Sequence, residues 1–221
     1  MSEAGVRVLI SLIGMSGSGK SYWSEKLARQ GFKLFCVDAL ITEKLSGELR
    51  QEDGSHLTLG EWMGFPFQDG YKEREELYLA SEKQLMAEVL DKIDENVRAG
   101  SEENVVVDTT GSVIYTGQDL LERLRTLTTI IHFTVPAVIR EAMLRQYLSN
   151  PRPVLWRGLF SIEPGESAEE ALFRSYNALL DSREILYREL GDIEIDYFTR
   201  NSPDFRISDF LEVVAASPVT K

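Results

Sequence analysis

Residues 12–23 read LIGMSGSGKSYW, and no other stretch constrains this 221-residue chain as strongly. Three glycines, Gly14, Gly17 and Gly19, follow directly on the apolar, β-branched run VRVLISLI. Glycine weakens strands and helices alike because it loses the most conformational freedom on ordering, so packing does not explain the cluster. Phosphate binding does. Gly14-Met15-Ser16-Gly17-Ser18-Gly19-Lys20-Ser21 fills every fixed position of G-x-x-x-x-G-K-[ST]. In that pattern the backbone curls until successive N–H groups converge on one concavity. The following helix aims its positive N-terminus at the same point. Lys20 can then reach the β- and γ-phosphates, and the Ser21 hydroxyl can ligate Mg2+. Residues 14–22, Tyr22 included, are the expected site for a nucleoside triphosphate.

The rest of the chain alternates apolar runs with helical patterns. VRVLISLI, FKLFCV (ending at Asp38), NVVVDTTG, TTIIHFTV and DIEIDYF read as five strands. KSYWSEKLARQ reads as a helix closed by Gly31, and ALITEKLSGEL as a single short helix. YKEREELYLASEKQLMAEVLDKIDENVRAG reads as a long amphipathic helix closed by Gly100. TGQDLLERLRTL is helical, PAVIREAMLRQYL is helical with Pro136 in its first turn, and Ser167 with Glu170 forms a capping box for the helix that follows. PDFRISDFLEVVAA is the last helix. Continuous apolar strands separated by helices predict a single α/β domain over 1–221, with a five-stranded, mostly parallel sheet covered on both faces. Residues 50–98 are expected to form a substrate-side excursion and helix, and 149–166 a polar, proline-containing lid loop.

In such sheets ligands bind at the carboxyl ends of the strands, where Gly14, Asp38 and Asp108 are expected. Asp38 suits two compatible roles: accepting the proton of an attacking hydroxyl, or capping the next helix. Asp108 closes the strand VVVD as a Walker-B-like acid near magnesium, or serves as a cap or Asx turn. Arg145, Arg152 and Arg157 lie in or beside SNPRPVLWRG, which is either a lid that closes on the transferring phosphoryl group or a solvated loop. His132, inside an apolar strand, reads as a satisfied core histidine. Trp62, Phe65, Phe67 and Tyr71 read as loop anchors, and Glu73, Glu75 and Glu76 as a solvated helix face.

Composition sets the outer limits. Hydrophobic residues make up 43% of the chain and charged residues 27%, an ordinary globular balance. A net charge of −12 argues against a nucleic-acid partner, which needs a basic surface. The single cysteine, Cys36, permits no internal disulfide and reads as a reduced core residue. No apolar run approaches the ~18 residues of a membrane span, and the N-terminus lacks a basic region and cleavage site. The expectation is a cytoplasmic protein, a monomer or weak dimer, with no membrane partner.

Taken together, the phosphate loop, Asp38 after strand two, Thr110-Gly111 after strand three, the RPVL stretch and the REILYREL helix resemble shikimate kinase over roughly residues 6–214. The resemblance implies a P-loop NTPase three-layer fold, ATP and Mg2+ as cofactors, and transfer of the γ-phosphoryl group to a hydroxyl of a small metabolite. It implies Lys20, Asp38 and Arg152 in catalysis. Arg145, Arg152, Arg200 and Pro203 join the nucleotide site, and Ser21 and Asp108 the metal site. Asp38, Arg74, Thr110, Gly111, Ser112 and Arg183 become the acceptor site, Arg183 as the partner of an acceptor carboxylate. The sequence departs from the family in three places. Cys36 replaces the first Asp of D-x-D, Gly-Ser-Val replaces a glycine triplet, and Leu79 stands where the second carboxylate-binding arginine belongs, with Arg74 the candidate substitute. These departures predict an acceptor other than shikimate, such as a sugar acid, a nucleoside or a hydroxylated antibiotic. A nucleotide-binding regulatory or interaction protein with weakened catalysis is the alternative.

Overall fold

The computed structural model describes residues 7–216, so Val6, the first residue of the expected first strand, lies outside them. Strands β1 (Leu9–Ile13), β2 (Lys33–Cys36), β3 (Val105–Asp108), β4 (Thr129–Phe133) and β5 (Ile193–Ile195) form one sheet in the order β2-β3-β1-β4-β5. Every pairing is parallel. Alternate residues of β1 feed two core layers. Ile10 and Leu12 pack with Trp23, Leu27 and Phe210, whereas Leu9 and Ile13 join the larger core on the other face. A strand buried on both sides must be apolar at nearly every position, which is why LISLI shows no polar alternation. Its exception, Ser11, bonds its hydroxyl to that of Thr128 at 2.8 Å.

Helix α1 (Lys20–Ala28) leaves directly from the glycine-rich loop, with Gly19 as its N-cap at φ 97°. Gly31, also at positive φ, lies two residues beyond the Arg29 C-cap. The single helix expected over 39–49 is two, α2 (Val37–Lys44) and α3 (Ser46–Leu49), broken at Leu45. Helix α2 starts at Val37, so Asp38 sits in its first turn rather than capping it. The 50–70 excursion contains α4 (Leu59–Met63), opened by a reciprocal Thr58–Glu61 capping box. Then come α5 (Tyr71–Arg98), α6 (Gln118–Leu127) and α7 (Ala137–Ser149), with Pro136 as the N-cap of α7 rather than a first-turn residue. The Ser167–Glu170 capping box opens α8 (Ala168–Leu190). The fifth strand stops at Ile195 because Asp196 caps α9 (Tyr197–Asn201) through two backbone N–H groups, and α10 (Ile207–Ala215) ends the described chain.

The expected polar lid is partly core. Val154, Leu155 and Trp156 are buried. Tyr71 on α5 donates its hydroxyl to the Val154 carbonyl at 2.7 Å and accepts the Trp156 N–H at 3.0 Å. Glu75, expected on a solvated face, is only 5% exposed; it accepts the Arg157 N–H at 2.9 Å and pairs with the Arg157 guanidinium. The aromatics of the excursion do anchor it. Phe65 stacks on Phe67 and meets Tyr147 edge-on, and Phe67 leans on Phe160 of the lid segment.

At Gly60, α4 touches the lid segment backbone to backbone. A Cβ there would stand 1.8 Å from the Pro151 carbonyl oxygen. Gly60→Ala in an exposed helix would stabilise the protein, because alanine is the better helix former. Here it should destabilise by about 1–3 kcal/mol, the usual cost of overpacking. Urea unfolding gives the sign directly, and a stabilised variant would mean that the two segments are not in contact.

Candidate active site

Strand order reverses beside β1, and the residues ending β1, β2 and β3 are registered there, Leu12 and Cys36 both opposite Asp108. Gly14 begins the turn. Its φ of 139° and a would-be Cβ 2.8 Å from the Phe133 carbonyl exclude any side chain. Lys20 folds back over this loop, donating to the carbonyls of Gly14 at 2.9 Å and Met15 at 3.1 Å. Burial lowers its ammonium below the ordinary range, with Asp108 and Asp38 opposing that shift.

Two cavities adjoin at this edge. One, about 220 Å³, is lined by the loop residues Ser16, Gly17, Gly19, Lys20, Ser21 and Tyr22. The other, about 300 Å³, extends past Tyr78 between α4 and the Asn150–Pro153 stretch. Ser16, Asp38, Gly111 and Arg152 line both. Asp38 is exposed to this cleft, and Tyr78 donates its hydroxyl to Asp38 Oδ1 at 2.9 Å. That bond orients the carboxylate and leaves Oδ2 for a ligand.

Asp108 is 4% exposed, and burial raises its pKa, offset in part by Lys20 and by hydrogen bonds from Ser21 and Ser24. Ser24 Oγ donates to Oδ2 at 3.3 Å, while Oδ1 is buried without a partner. A buried carboxylate oxygen left free beside the Ser21 hydroxyl fits a divalent cation. Mg2+ would need only one or two protein ligands at such a place.

The other expected residues are placed differently. Arg183 is 2% exposed. Its Nη1 donates to the Gly111 carbonyl at 3.1 Å and its Nη2 to the Leu155 carbonyl at 2.6 Å, so it ties the strand-three loop to the lid segment instead of lining the cleft. Arg74 closes the 63–70 loop, donating to the Met63 and Asp69 carbonyls at 3.0 Å each. Thr110 and Ser112 turn their hydroxyls onto the carboxyl group of Glu82, leaving Gly111 as the member of the triplet that reaches the cavities. Arg145 lies exposed on α7, paired with Glu141 at 2.6 Å. Arg200 is buried behind the glycine loop, where its Nε donates to the Ser18 carbonyl at 3.0 Å and burial lowers its pKa to about 10. Pro203 is exposed in the turn after α9. His132 is core: its Nε2 lies 3.7 Å from a Glu184 carboxylate oxygen and its Nδ1 3.6 Å from one of Glu194, longer than hydrogen bonds, and burial lowers its pKa to about 4.

Sequence reading missed Tyr78, Asn150 and Glu82 as site residues. Glu82 carried a signal. It falls on the buried stripe of α5 with Tyr78, Leu79, Met86 and Val89, where a charged residue is anomalous. Burial raises its pKa to about 7 despite the Ser112 and Thr110 hydroxyls. An acid whose pKa is higher folded than unfolded stabilises the fold while it is protonated. That contribution is complete below about pH 4.5 and is lost as pH rises through about 7. At about 1.4 kcal/mol per pK unit, the loss is on the order of 3 kcal/mol. Unfolding free energies at pH 5 and pH 8 should therefore fall more steeply for the wild type than for Glu82→Gln. Parallel profiles would mean that the carboxyl ionises normally.

A family profile for the AAA domain, AAA_33, matches residues 9–157. No curated protein matches the chain. Among solved structures, shikimate kinase from Aquifex aeolicus superposes with a TM-score of 0.57 at 17% identity, covering 94% of this chain and 96% of that one. Shikimate kinase from Bacteroides thetaiotaomicron gives 0.56 at 18% identity and 94% of both chains. Shikimate kinase from Acinetobacter baumannii, solved in complex with shikimate, gives 0.55 at 21% identity, covering 95% and 93%. At these identities the likeness is one of fold, and it is the fold of P-loop kinases. The profile spans more than half of the sequence and takes in the glycine loop, Asp38, Asp108 and Arg152, so the chain belongs to the AAA_33 family of AAA domains.

Proposed function

We propose that the protein is an ATP- and Mg2+-dependent small-molecule kinase that transfers a γ-phosphoryl group to an acceptor hydroxyl. One observation carries the reading: the phosphate cavity and a second cavity of small-molecule size share Asp38, Arg152, Ser16 and Gly111 as a common wall. A hydrolase needs room for water alone, whereas a second lined cavity provides for an acceptor.

The roles follow from placement. The N–H groups of the glycine loop hold the phosphates. Asp38, oriented by Tyr78, accepts the proton of the acceptor hydroxyl as its oxygen bonds to the γ-phosphorus and the bond to the β-phosphate oxygen breaks. ADP leaves and the acceptor carries the phosphoryl group. Lys20, released from the Gly14 and Met15 carbonyls, and Arg152 take up the charge that spreads over the transferring group. Ser21 and Asp108 would hold Mg2+, which would supply positive charge against the phosphates when bound.

Lys20→Ala should lower acceptor-dependent ATP turnover by at least ~10²-fold, the effect of losing one preorganised charge-stabilising donor. Turnover within about twofold of wild type would remove this mechanism. Arg152→Ala should reduce kcat more than it raises the KM for ATP, since the side chain meets the phosphoryl group chiefly as charge develops. A change confined to KM would make it a ground-state contact.

A further inference from the structure

We infer that the acceptor is an electrically neutral alcohol that presents a hydroxyl to Asp38, and not a hydroxy acid. This rests on the kinase reading above and concerns the same cleft. The part of the acceptor cavity beyond the shared wall is lined by Thr58, Leu59, Gly60, Tyr78, Pro151 and Pro153. None carries a charge. Of the cavity's two charged side chains, Asp38 is an anion, and Arg152 also lines the phosphate cavity, where a phosphoryl group claims it.

A carboxylate is held well by arginine forks, because the pairing is bidentate and charge-assisted. The three positions from which the sequence resemblance would supply such a fork provide none. Arg183 is closed off by the Gly111 and Leu155 carbonyls. Arg74 is occupied by the Met63 and Asp69 carbonyls. Leu79 is an apolar core residue, 5% exposed. A carboxylate entering this cavity would give up its water to face Asp38 without a cation of its own, and a desolvated, unpaired charge is strongly disfavoured.

Neutral groups have partners here. Ser16 and Asn150 line the cavity, and a hydroxyl and an amide can each both donate to and accept from an alcohol. Leu59, Pro151 and Pro153 offer apolar surface to the acceptor's carbon frame.

The test uses matched pairs that differ only in charge: shikimate, quinate and gluconate, each against its methyl ester or primary amide. Release of ADP is measured with Mg-ATP and full-length protein. The neutral member of at least one pair should be favoured by about 10- to 100-fold in kcat/KM, the span expected where an acid would need a charge-assisted partner and has none. Acids that equal or exceed their neutral partners would overturn the inference. So would a panel in which no pair rises above the acceptor-free rate. The kinase reading fails separately, by a wild-type protein that binds no ATP with Mg2+ in calorimetry.

Discussion

A loop that points its own N–H groups into a cleft cannot hold its shape through the usual ladder of backbone bonds, so it has to be braced from outside. Here the bracing comes from three directions. The Phe133 carbonyl at the end of β4 lies against Gly14 so closely that no Cβ fits. Arg200, from the far end of the chain, donates to the Ser18 carbonyl from behind. Lys20 ties down the Gly14 and Met15 carbonyls from the front. All three contacts are buried, and the third is made by a side chain of the glycine loop's own helix.

The second cavity depends on a similar bracing. The 150–157 stretch has no helix or strand of its own, and loops of this kind are held by side chains. Tyr71 and Glu75 grip its backbone from α5, Arg183 reaches it from α8, and Gly60 abuts it from α4. Arg152 is thus an exposed side chain on a backbone anchored on both sides. The entropic cost of ordering this segment is met during folding.

The sequence disclosed the sheet and the glycine loop, and the placing of Asp38 and Asp108 at strand ends beside that loop, because each rests on local pattern: apolar period, glycine spacing, an acid after a strand. It misled where a charged side chain's partner lies far along the chain. Arg183 sits in a helical segment that resembles a carboxylate-binding one, yet its partners are carbonyls of Gly111 and Leu155, 72 and 28 residues away. Glu75 looked solvated among Glu73 and Glu76, yet it is buried by Arg157, 82 residues on. Helical phase would have separated Glu75 and Glu82 from their neighbours, since both fall on the stripe of α5 that carries Tyr71, Tyr78 and Val89. Phase marks a residue as inward-facing. It does not say which carbonyl or hydroxyl waits there.

Three carboxyl groups end up close to Gly111, and their surroundings separate their chemistry. Asp38 is open to the cleft and steered by a phenol, so one of its oxygens is free to meet a ligand from solvent. Asp108 is buried with one oxygen free, which suits a cation. Glu82 is wholly buried, and burial favours the neutral acid even against the two hydroxyls that donate to it, which suits a structural role. Gly111 can serve all three because it lacks a side chain. Its carbonyl receives Arg183 and Tyr187, its neighbours Thr110 and Ser112 engage Glu82, and a Cβ on its bare face would stand 3.0 Å from the Ser16 N–H of the glycine loop. Any larger residue would press on the loop that binds phosphate. The strand-three turn and the glycine loop therefore share one constraint, close backbone approach, and it is that approach which lets both cavities open onto the same four residues.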